Sequence, residues 1–282
     1  MITIQNSFLK AKFNEAGAEL KSLVCNDTEY IWNGDENFWK GSAPILFPIC
    51  SGLKDDKYLL DGVEYTLAKH GFAKQKTFEL ESKQEDSAVF LLKADTETLK
   101  QYPFNFEFRI AYELIGKKLK VTYKVTNKYT KKMYFSIGAH EAYNCPEGIE
   151  DYDICFPQNE TLDSSVLLGN VLGDDTVRII ENEDKLALKY DYFAVDALVF
   201  KKLVSKSAVL KNRKTGRAVR LQFEEFPYFL LWTKPGAGYI CMEPWCGISD
   251  SIHSKYDFVN KEGIETVNVN ETFTRVHSIE IL

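Results

Sequence analysis

Two histidines lie in sequence surroundings that suit proton transfer. His70 precedes Gly-Phe-Ala at 71–73, and His140 lies within Gly-Ala-His-Glu-Ala at 138–142. Small residues beside both imidazoles let a ligand or a backbone segment approach closely. Histidine is also the side chain best suited to exchange a proton near neutral pH. The alternative at each position is a structural histidine that is held by hydrogen bonds.

Glu243 is the third residue whose surroundings point to chemistry. It ends an apolar run at 238–242 and precedes Pro-Trp-Cys-Gly at 244–247. A carboxylate that faces inward from a strand is costly unless it has partners. Desolvation would raise its pKa and make it a better general base. The alternative is a surface glutamate at the end of a strand.

Aromatic residues lie near these groups in the sequence and indicate a sugar ligand, because their rings can stack on the C–H faces of a pyranose. The alternative for each is a place in the hydrophobic core. No phosphate-binding loop, nucleophile elbow or dinucleotide fingerprint is present. The candidates are Trp32, Trp39, Phe72, Tyr143, Trp232 and Trp245.

The six cysteines form no Cys-x-x-Cys pair, and the N-terminal residues lack the basic and then apolar layout of an export signal. We therefore expect reduced, mostly buried thiols rather than disulfides. A zinc site at Cys241 and Cys246 would need further ligands, and no histidine lies close to them in the sequence. The sequence predicts no metal and no organic cofactor.

The net charge of −6 argues against a nucleic-acid partner, which requires a basic surface. One basic stretch runs from Lys201 to Arg217 and has two interpretations. It is a solvated pair of strands around an Asn-Arg-Lys-Thr-Gly turn, which we favour, or a rim that attracts phosphate. No window is apolar enough for a membrane helix. We expect a cytoplasmic protein with no membrane partner.

Alternation of apolar and polar residues is the strongest structural pattern, and it predicts the strands that must position these groups. Even-numbered residues from Phe104 to Leu114 are apolar, and a second alternating run covers 119–126, which together predict a long antiparallel hairpin. Asp61-Gly62 marks a second hairpin. A short helix is predicted at 95–101 and ends before Pro103. We predict one antiparallel β domain over residues 1–282, with less than about a fifth of residues helical.

Several motifs, in their order and spacing, resemble the aldose 1-epimerase (galactose mutarotase) superfamily, and within it the LacX-like bacterial branch. The resemblance covers essentially the whole chain. The motifs are Trp-Asn-Gly at 32–34, Ala-Pro-Ile-Leu-Phe-Pro at 43–48, Tyr58, Asp61-Gly62, Tyr65, His-Gly-Phe-Ala at 70–73, Gly-Ala-His-Glu-Ala-Tyr at 138–143, Cys-Met-Glu-Pro-Trp at 241–245 and Glu-Gly-Ile at 262–264.

The resemblance implies an all-β fold, a large β-sandwich of the mutarotase type (a supersandwich), with a sugar cleft on one sheet. It assigns the base to Glu243 and places His140 and His70 at the ring oxygen, with His140 as the acid. Asp196 matches the aspartate that binds sugar hydroxyls. With the aromatic candidates, the expected sugar-binding residues are Asp196, Lys54, Trp245, Phe72 and Tyr143.

The sequence departs from the mutarotase pattern at one position. Mutarotases carry a sugar-binding arginine where residues 50–56 of this chain have none, and Lys54 is the candidate substitute, although lysine lacks the bidentate fork of arginine. Three functions stay open at this point: a mutarotase of free aldoses, a hexose-6-phosphate 1-epimerase, and a non-catalytic sugar-binding or regulatory protein. The expected partner is a small sugar. The sequence does not determine the oligomeric state.

Overall fold

Strands make up about 52% of the residues and helices about 7%. The computed structural model describes residues 1–282. The strands of the first half are β1 Ile2–Gln5, β2 Leu9–Phe13, β3 Leu20–Cys25, β4 Thr28–Glu29, β5 Lys57–Leu60, β6 Val63–Thr66, β7 Glu79–Lys83, β8 Ser87–Lys93, β9 Phe106–Ile115, β10 Lys118–Asn127, β11 Met133–Phe135, β12 Ile137–Gly138 and β13 Glu141–Asn144. Those of the second half are β14 Tyr152–Leu168, β15 Val171–Ala187, β16 Leu198–Phe200, β17 Ser207–Asn212, β18 Ala218–Gln222, β19 Tyr228–Trp232, β20 Tyr239–Cys246, β21 Glu265–Val267 and β22 Thr272–Ile281.

One α-helix and four 3₁₀ turns connect these strands. The helix, α1, spans Thr96–Gln101, and Asp95 caps it by accepting a hydrogen bond from the Thr98 amide. The 3₁₀ turns are Lys54–Asp56, Ala73–Gln75, Ile149–Asp151 and Tyr190–Phe193. No helix is long and apolar enough to cross a lipid bilayer.

The strands form one large sheet and three small ones, and every pairing between them is antiparallel. The large sheet has the order β12-β20-β19-β16-β14-β17-β18-β22-β10-β9-β8-β7, with β13 also paired to β20 and β15 to β14. A second sheet has the order β1-β2-β3-β4, and the pairs β5-β6 and β11-β21 complete the set. This confirms the all-β, antiparallel prediction.

The local predictions are confirmed where the sequence pattern is regular. The long hairpin is β9-β10, and its strands alternate between buried and partly exposed residues because one face packs on the core. The second hairpin is β5-β6. Its turn residues, Asp61 and Gly62, both have positive φ, as a two-residue turn between twisted strands requires.

Apolar side chains from both ends of the chain pack into one hydrophobic cluster of 67 buried residues, which extends from Ile4 to Ile281. Phe47 lies within it and contacts the rings of Phe106, Phe108 and Phe135. The single domain over residues 1–282 stays a prediction, which this core is large enough to support. All six cysteines are free thiols, and all but Cys155 are buried.

Candidate active site

Strand register brings His140 and Glu243 together. Gly138 of β12 pairs with Trp245 of β20, and Glu141 of β13 pairs with Met242, so the register between them sets His140 directly opposite Glu243. Residues directly opposite on antiparallel strands have adjacent side chains on one face of the sheet. His140 Nε2 accordingly lies 3.4 Å from Glu243 Oε2.

Both side chains of this pair are buried, with His140 8% and Glu243 2% exposed. Burial raises the pKa of Glu243 well above its usual range, and Lys69 opposes this shift. Burial lowers the pKa of His140 to about 3. Both shifts have the same cause, because a low-dielectric environment disfavours the charged form of either group. At a pH between these two pKa values, the pair therefore holds one proton between them.

His70 reaches the same place from a loop rather than from a strand. The His70 amide donates to the Ser51 carbonyl at 2.8 Å, and the Ser51 amide donates to His70 Nδ1 at 3.1 Å. Because Nδ1 accepts a hydrogen bond, the neutral imidazole carries its proton on Nε2. Burial, His140 and two nearby lysines all lower the pKa of His70. His70 is thus a neutral hydrogen-bond donor, 5.5 Å from His140 between ring centroids.

Two glycines make this arrangement possible because a Cβ atom would collide with a neighbour. A Cβ on Gly71 would lie 2.4 Å from the Phe47 carbonyl oxygen, and Gly71 has a φ of +65°. A Cβ on Gly138 would lie 2.5 Å from the Trp245 indole ring. Because these two residues have no side chain, the His70 loop and the Trp245 ring can lie close to the sheet.

Three tryptophans enclose the histidines. The Trp39 ring lies 5.2 Å from the His140 ring, and Trp232 lies 5.7 Å from it in an edge-on orientation. Trp245 lies 5.7 Å from His70, and its indole N–H donates to the Ala139 carbonyl at 3.0 Å. These apolar faces border a cleft of about 880 Å³ into which the three proton-transfer candidates face.

Charged side chains also line this cleft. Four lysines line it, together with two carboxylates besides Glu243. The Lys69 ammonium lies 3.7 Å from an Asp196 carboxylate oxygen. The other residues of the charged lining are Glu19, Lys40, Lys74 and Lys234.

The structure places some of the predicted sugar-binding residues in the cleft and others elsewhere. Asp196 and Trp245 line the cleft. Lys54 does not, because its amide donates to Asp250 and its ammonium points to the Ser254 carbonyl, outside the cleft. Phe72 does not, because it packs in the aromatic core against Phe106.

Tyr143 is also placed away from the cleft, which corrects its prediction as a sugar-binding residue. Along a strand, side chains alternate between faces, so Tyr143 shares the face of Glu141 and not that of His140. It is fully buried in the main core. Among the cleft residues that the sequence analysis did not identify, Lys69 and Lys74 lie nearest to His70 in the sequence. The only signal was their position beside the motif at His70.

The basic stretch from Lys201 to Arg217 contributes no residue to this cleft. Its residues form β17, a turn and the approach to β18, as the favoured interpretation predicted. Lys201 pairs with Glu262 at 2.9 Å and Lys214 with Asp151 at 2.8 Å. The segment is therefore not a rim of this cleft.

Behind the catalytic candidates, on the opposite face of β13, lies a second buried pair. His277 Nε2 and Glu141 Oε1 are 2.8 Å apart, and their residues are 1% and 3% exposed. The second carboxylate oxygen of Glu141 and Nδ1 of His277 have no hydrogen-bond partner. This pair couples β13 to the central strand β22.

One set of side chains could hold a cation, formed by two cleft residues and a buried cysteine beside them. Ligand atoms of His140, Cys241 and Glu243 lie within 4.8 Å of one another, and all three residues are buried. The Cys241 thiol has a pKa raised well above its usual range by burial, so it is protonated and a poor ligand. The expectation that the cysteines bind no metal stays a prediction.

Comparison with known proteins supports the resemblance found in the sequence. A family model described as aldose 1-epimerase matches residues 1–275. The chromosomal LacX protein of Lactococcus lactis subsp. lactis is 35% identical over 296 residues, which cover 100% of this chain and 99% of LacX.

Solved structures of related proteins share the fold. A galactose mutarotase related enzyme from Lactobacillus acidophilus superposes with a TM-score of 0.94 at 32% identity, covering 100% of this chain and 97% of that one. A galactose mutarotase-like protein from Lactobacillus casei superposes with a TM-score of 0.94 at 31% identity, covering all of both chains. These matches confirm the predicted β-sandwich of the mutarotase type.

Proposed function

Because the chain belongs to the aldose 1-epimerase family, we propose that it interconverts the α and β anomers of a sugar by acid–base opening of the ring. The observation that carries this proposal is the cross-strand pair of His140 and Glu243 at 3.4 Å, inside a tryptophan-lined cleft. His70 offers a third proton-bearing group at the same place.

Opening a cyclic hemiacetal moves one proton from the C1 hydroxyl to the ring oxygen while the bond between C1 and the ring oxygen breaks. Glu243 is the base that removes the hydroxyl proton, and His140 is the acid that protonates the ring oxygen. Rotation about the C1–C2 bond then presents the other face of the aldehyde. The same groups close the ring by the reverse transfers, and each contributes about 10²- to 10⁴-fold to the rate.

Proton transfer between Glu243 and His140 requires that the two side chains be adjacent. The reactive form needs an ionised Glu243 and a protonated His140, whereas burial favours the uncharged form of each. Passing one proton from Glu243 to His140 converts the uncharged pair into the reactive pair without exchange with solvent. The pair therefore titrates as a unit rather than as two separate residues.

His70 has a different role, because a neutral imidazole with its proton on Nε2 cannot readily give that proton away. It donates a hydrogen bond to the ring oxygen and stabilises the charge that develops there. Trp39, Trp232 and Trp245 provide apolar surfaces for the C–H faces of the sugar. Asp196 is the candidate acceptor for sugar hydroxyl groups.

The test is anomer exchange, measured by NMR on a panel of free and phosphorylated aldoses. Glu243→Gln keeps the shape but removes the base, so kcat should fall at least about 100-fold while sugar binding largely survives. His140→Asn should lose a similar factor and His70→Asn less. Glu262→Gln, outside the cleft, is the matched control.

Two outcomes would contradict the proposal. A Glu243→Gln protein that equilibrates its best sugar as fast as the parent would exclude Glu243 as the base. A parent protein that binds sugars but exchanges none would favour the alternative of a non-catalytic sugar-binding protein. Operation without a cofactor and a cytoplasmic location stay predictions.

A further inference from the structure

Two lysines beside His70 have more positive charge than their surroundings neutralise. Lys74 donates to the Lys69 carbonyl at 2.9 Å and makes no ion pair with any carboxylate. Lys69 has only the long 3.7 Å contact with Asp196. Lys74 is partly buried, and this burial lowers its pKa. An ammonium group has three N–H donors, so Lys74 keeps two of them free.

The cleft as a whole also has more positively charged than negatively charged side chains. Its lysines are Lys40, Lys69, Lys74 and Lys234, although the chain as a whole has a net charge of −6. Of the opposing carboxylates, Glu19 already accepts hydrogen bonds from the amides of residues 42 and 43. Lys40 pairs with Glu36, and burial favours the uncharged form of Glu243. The lysines at 69, 74 and 234 therefore face only the carboxylates of Glu19 and Asp196 in the lining.

We propose, on the basis of the function proposed above, that Lys74 and Lys69 bind an anionic substituent of the sugar, a phosphate ester or a carboxylate. Free N–H donors on an ammonium group are suited to charge-assisted hydrogen bonds with such oxygens. Lysine offers a flexible point charge rather than a fixed fork, so it tolerates either anion. The substrate class is thus an anionic aldose, and these lysines take the place of the absent arginine as cations of the cleft.

The position of the lysines links this binding to the chemistry. The charges of Lys74 and Lys69 both lower the pKa of His70 and of His140. A bound anion would offset these charges. It would favour protonation of His140, the form that acts as the acid, and it would also raise the pKa of Glu243, which Lys69 lowers. These two effects oppose each other in kcat, so an anionic substituent should act mainly by lowering KM.

The experiment compares glucose, glucose 6-phosphate and glucuronate as probes in the NMR exchange assay, with binding measured by calorimetry on the same samples. We expect kcat/KM for one anionic sugar to exceed that for glucose at least tenfold. Lys74→Met should reduce this ratio about 10- to 100-fold, because it removes a charge-assisted hydrogen bond. Lys74→Arg should restore part of it. The matched control is Lys76→Met, since Lys76 pairs with Asp95 outside the cleft.

The outcomes separate this inference from the proposed function. Preference for the phosphate or for the carboxylate identifies which anion the lysines bind. If all three sugars exchange equally well and Lys74→Met leaves the ratio unchanged, the inference is wrong while the mutarotase proposal stands. If no sugar exchanges, the mutarotase proposal fails, and equal binding of glucose and both anionic sugars then refutes the lysine site as well.

Discussion

Replacing His277 by leucine should destabilise the fold by about 3 kcal/mol, because removing one partner of a buried pair leaves the other charge uncompensated. The Glu141 carboxylate has no other hydrogen-bond partner: one oxygen is 2.8 Å from His277, and the other has none. With an unfolding entropy of roughly 2.1 cal/mol/K per residue, a protein of 282 residues should lose about 5 °C in Tm.

The chain contains a matched control for this prediction. His253 and Asp174 form the same kind of pair at 2.9 Å, but their side chains are 69% and 68% exposed. Exposed pairs contribute little, so His253→Leu should change the free energy of unfolding by less than about 0.5 kcal/mol. The double variant Glu141→Leu/His277→Leu removes both buried polar groups and should recover most of the lost stability.

The assay is urea denaturation followed by tryptophan fluorescence, with the free energy of unfolding obtained by linear extrapolation. Two results would refute the reasoning. One is a His277→Leu protein within about 0.5 kcal/mol of the parent, which would mean that Glu141 finds another partner. The other is a double variant no more stable than the single one, which would mean that packing rather than the unpaired carboxylate sets the cost.

Two further predictions concern pH and backbone geometry. Because burial raises the pKa of Glu243 and lowers that of His140 to about 3, exchange activity should be highest between the two pKa values. It should fall as pH rises through the raised pKa, where the pair loses its proton. Lys69→Met removes a charge that lowers the Glu243 pKa, so this alkaline limb of the pH–rate profile should move to higher pH. Gly71→Ala should lower the free energy of unfolding, measured by thermal denaturation, by several kcal/mol, since the new Cβ would collide with the Phe47 carbonyl oxygen. Gly62→Ala, where nothing lies within 4 Å, should cost only the left-handed penalty of about 1–2 kcal/mol. Equal losses at the two glycines would contradict the steric argument.

The parts of the fold that local pattern determines could be predicted from the sequence. The β9-β10 hairpin follows from strict alternation, and the β5-β6 turn follows from its Asp-Gly pair. The resemblance also selected the three residues that the structure gathers in the cleft. Strand periodicity alone predicts the position of Tyr143, since His140 and Tyr143 are an odd number of residues apart and so face opposite sides of the sheet.

The directions of some side chains, and contacts between distant residues, depend on the folded structure and cannot be inferred from the neighbouring sequence. Phe72 follows two residues with positive φ, a turn that breaks the alternation and directs its ring into the core. The side chains of Lys69 and Lys74 are long and flexible, so their direction depends on the surrounding loop. The partner of Glu141 lies 136 residues away in the chain, where no periodicity links the two.

The pairing of His140 with Glu243 can form only late during synthesis of the protein, because Glu243 is 103 residues after His140. At roughly 5–20 residues per second, a ribosome needs about 5–20 s to add β20 after β13 has appeared. Residues 32 and 42 can already bond to Ala142 on one side of β13, whereas its other edge has no partner until β20 arrives. Until then the backbone N–H and C=O groups on this edge of β13 lack their strand partner, and an unpaired edge of this kind favours pairing with other chains.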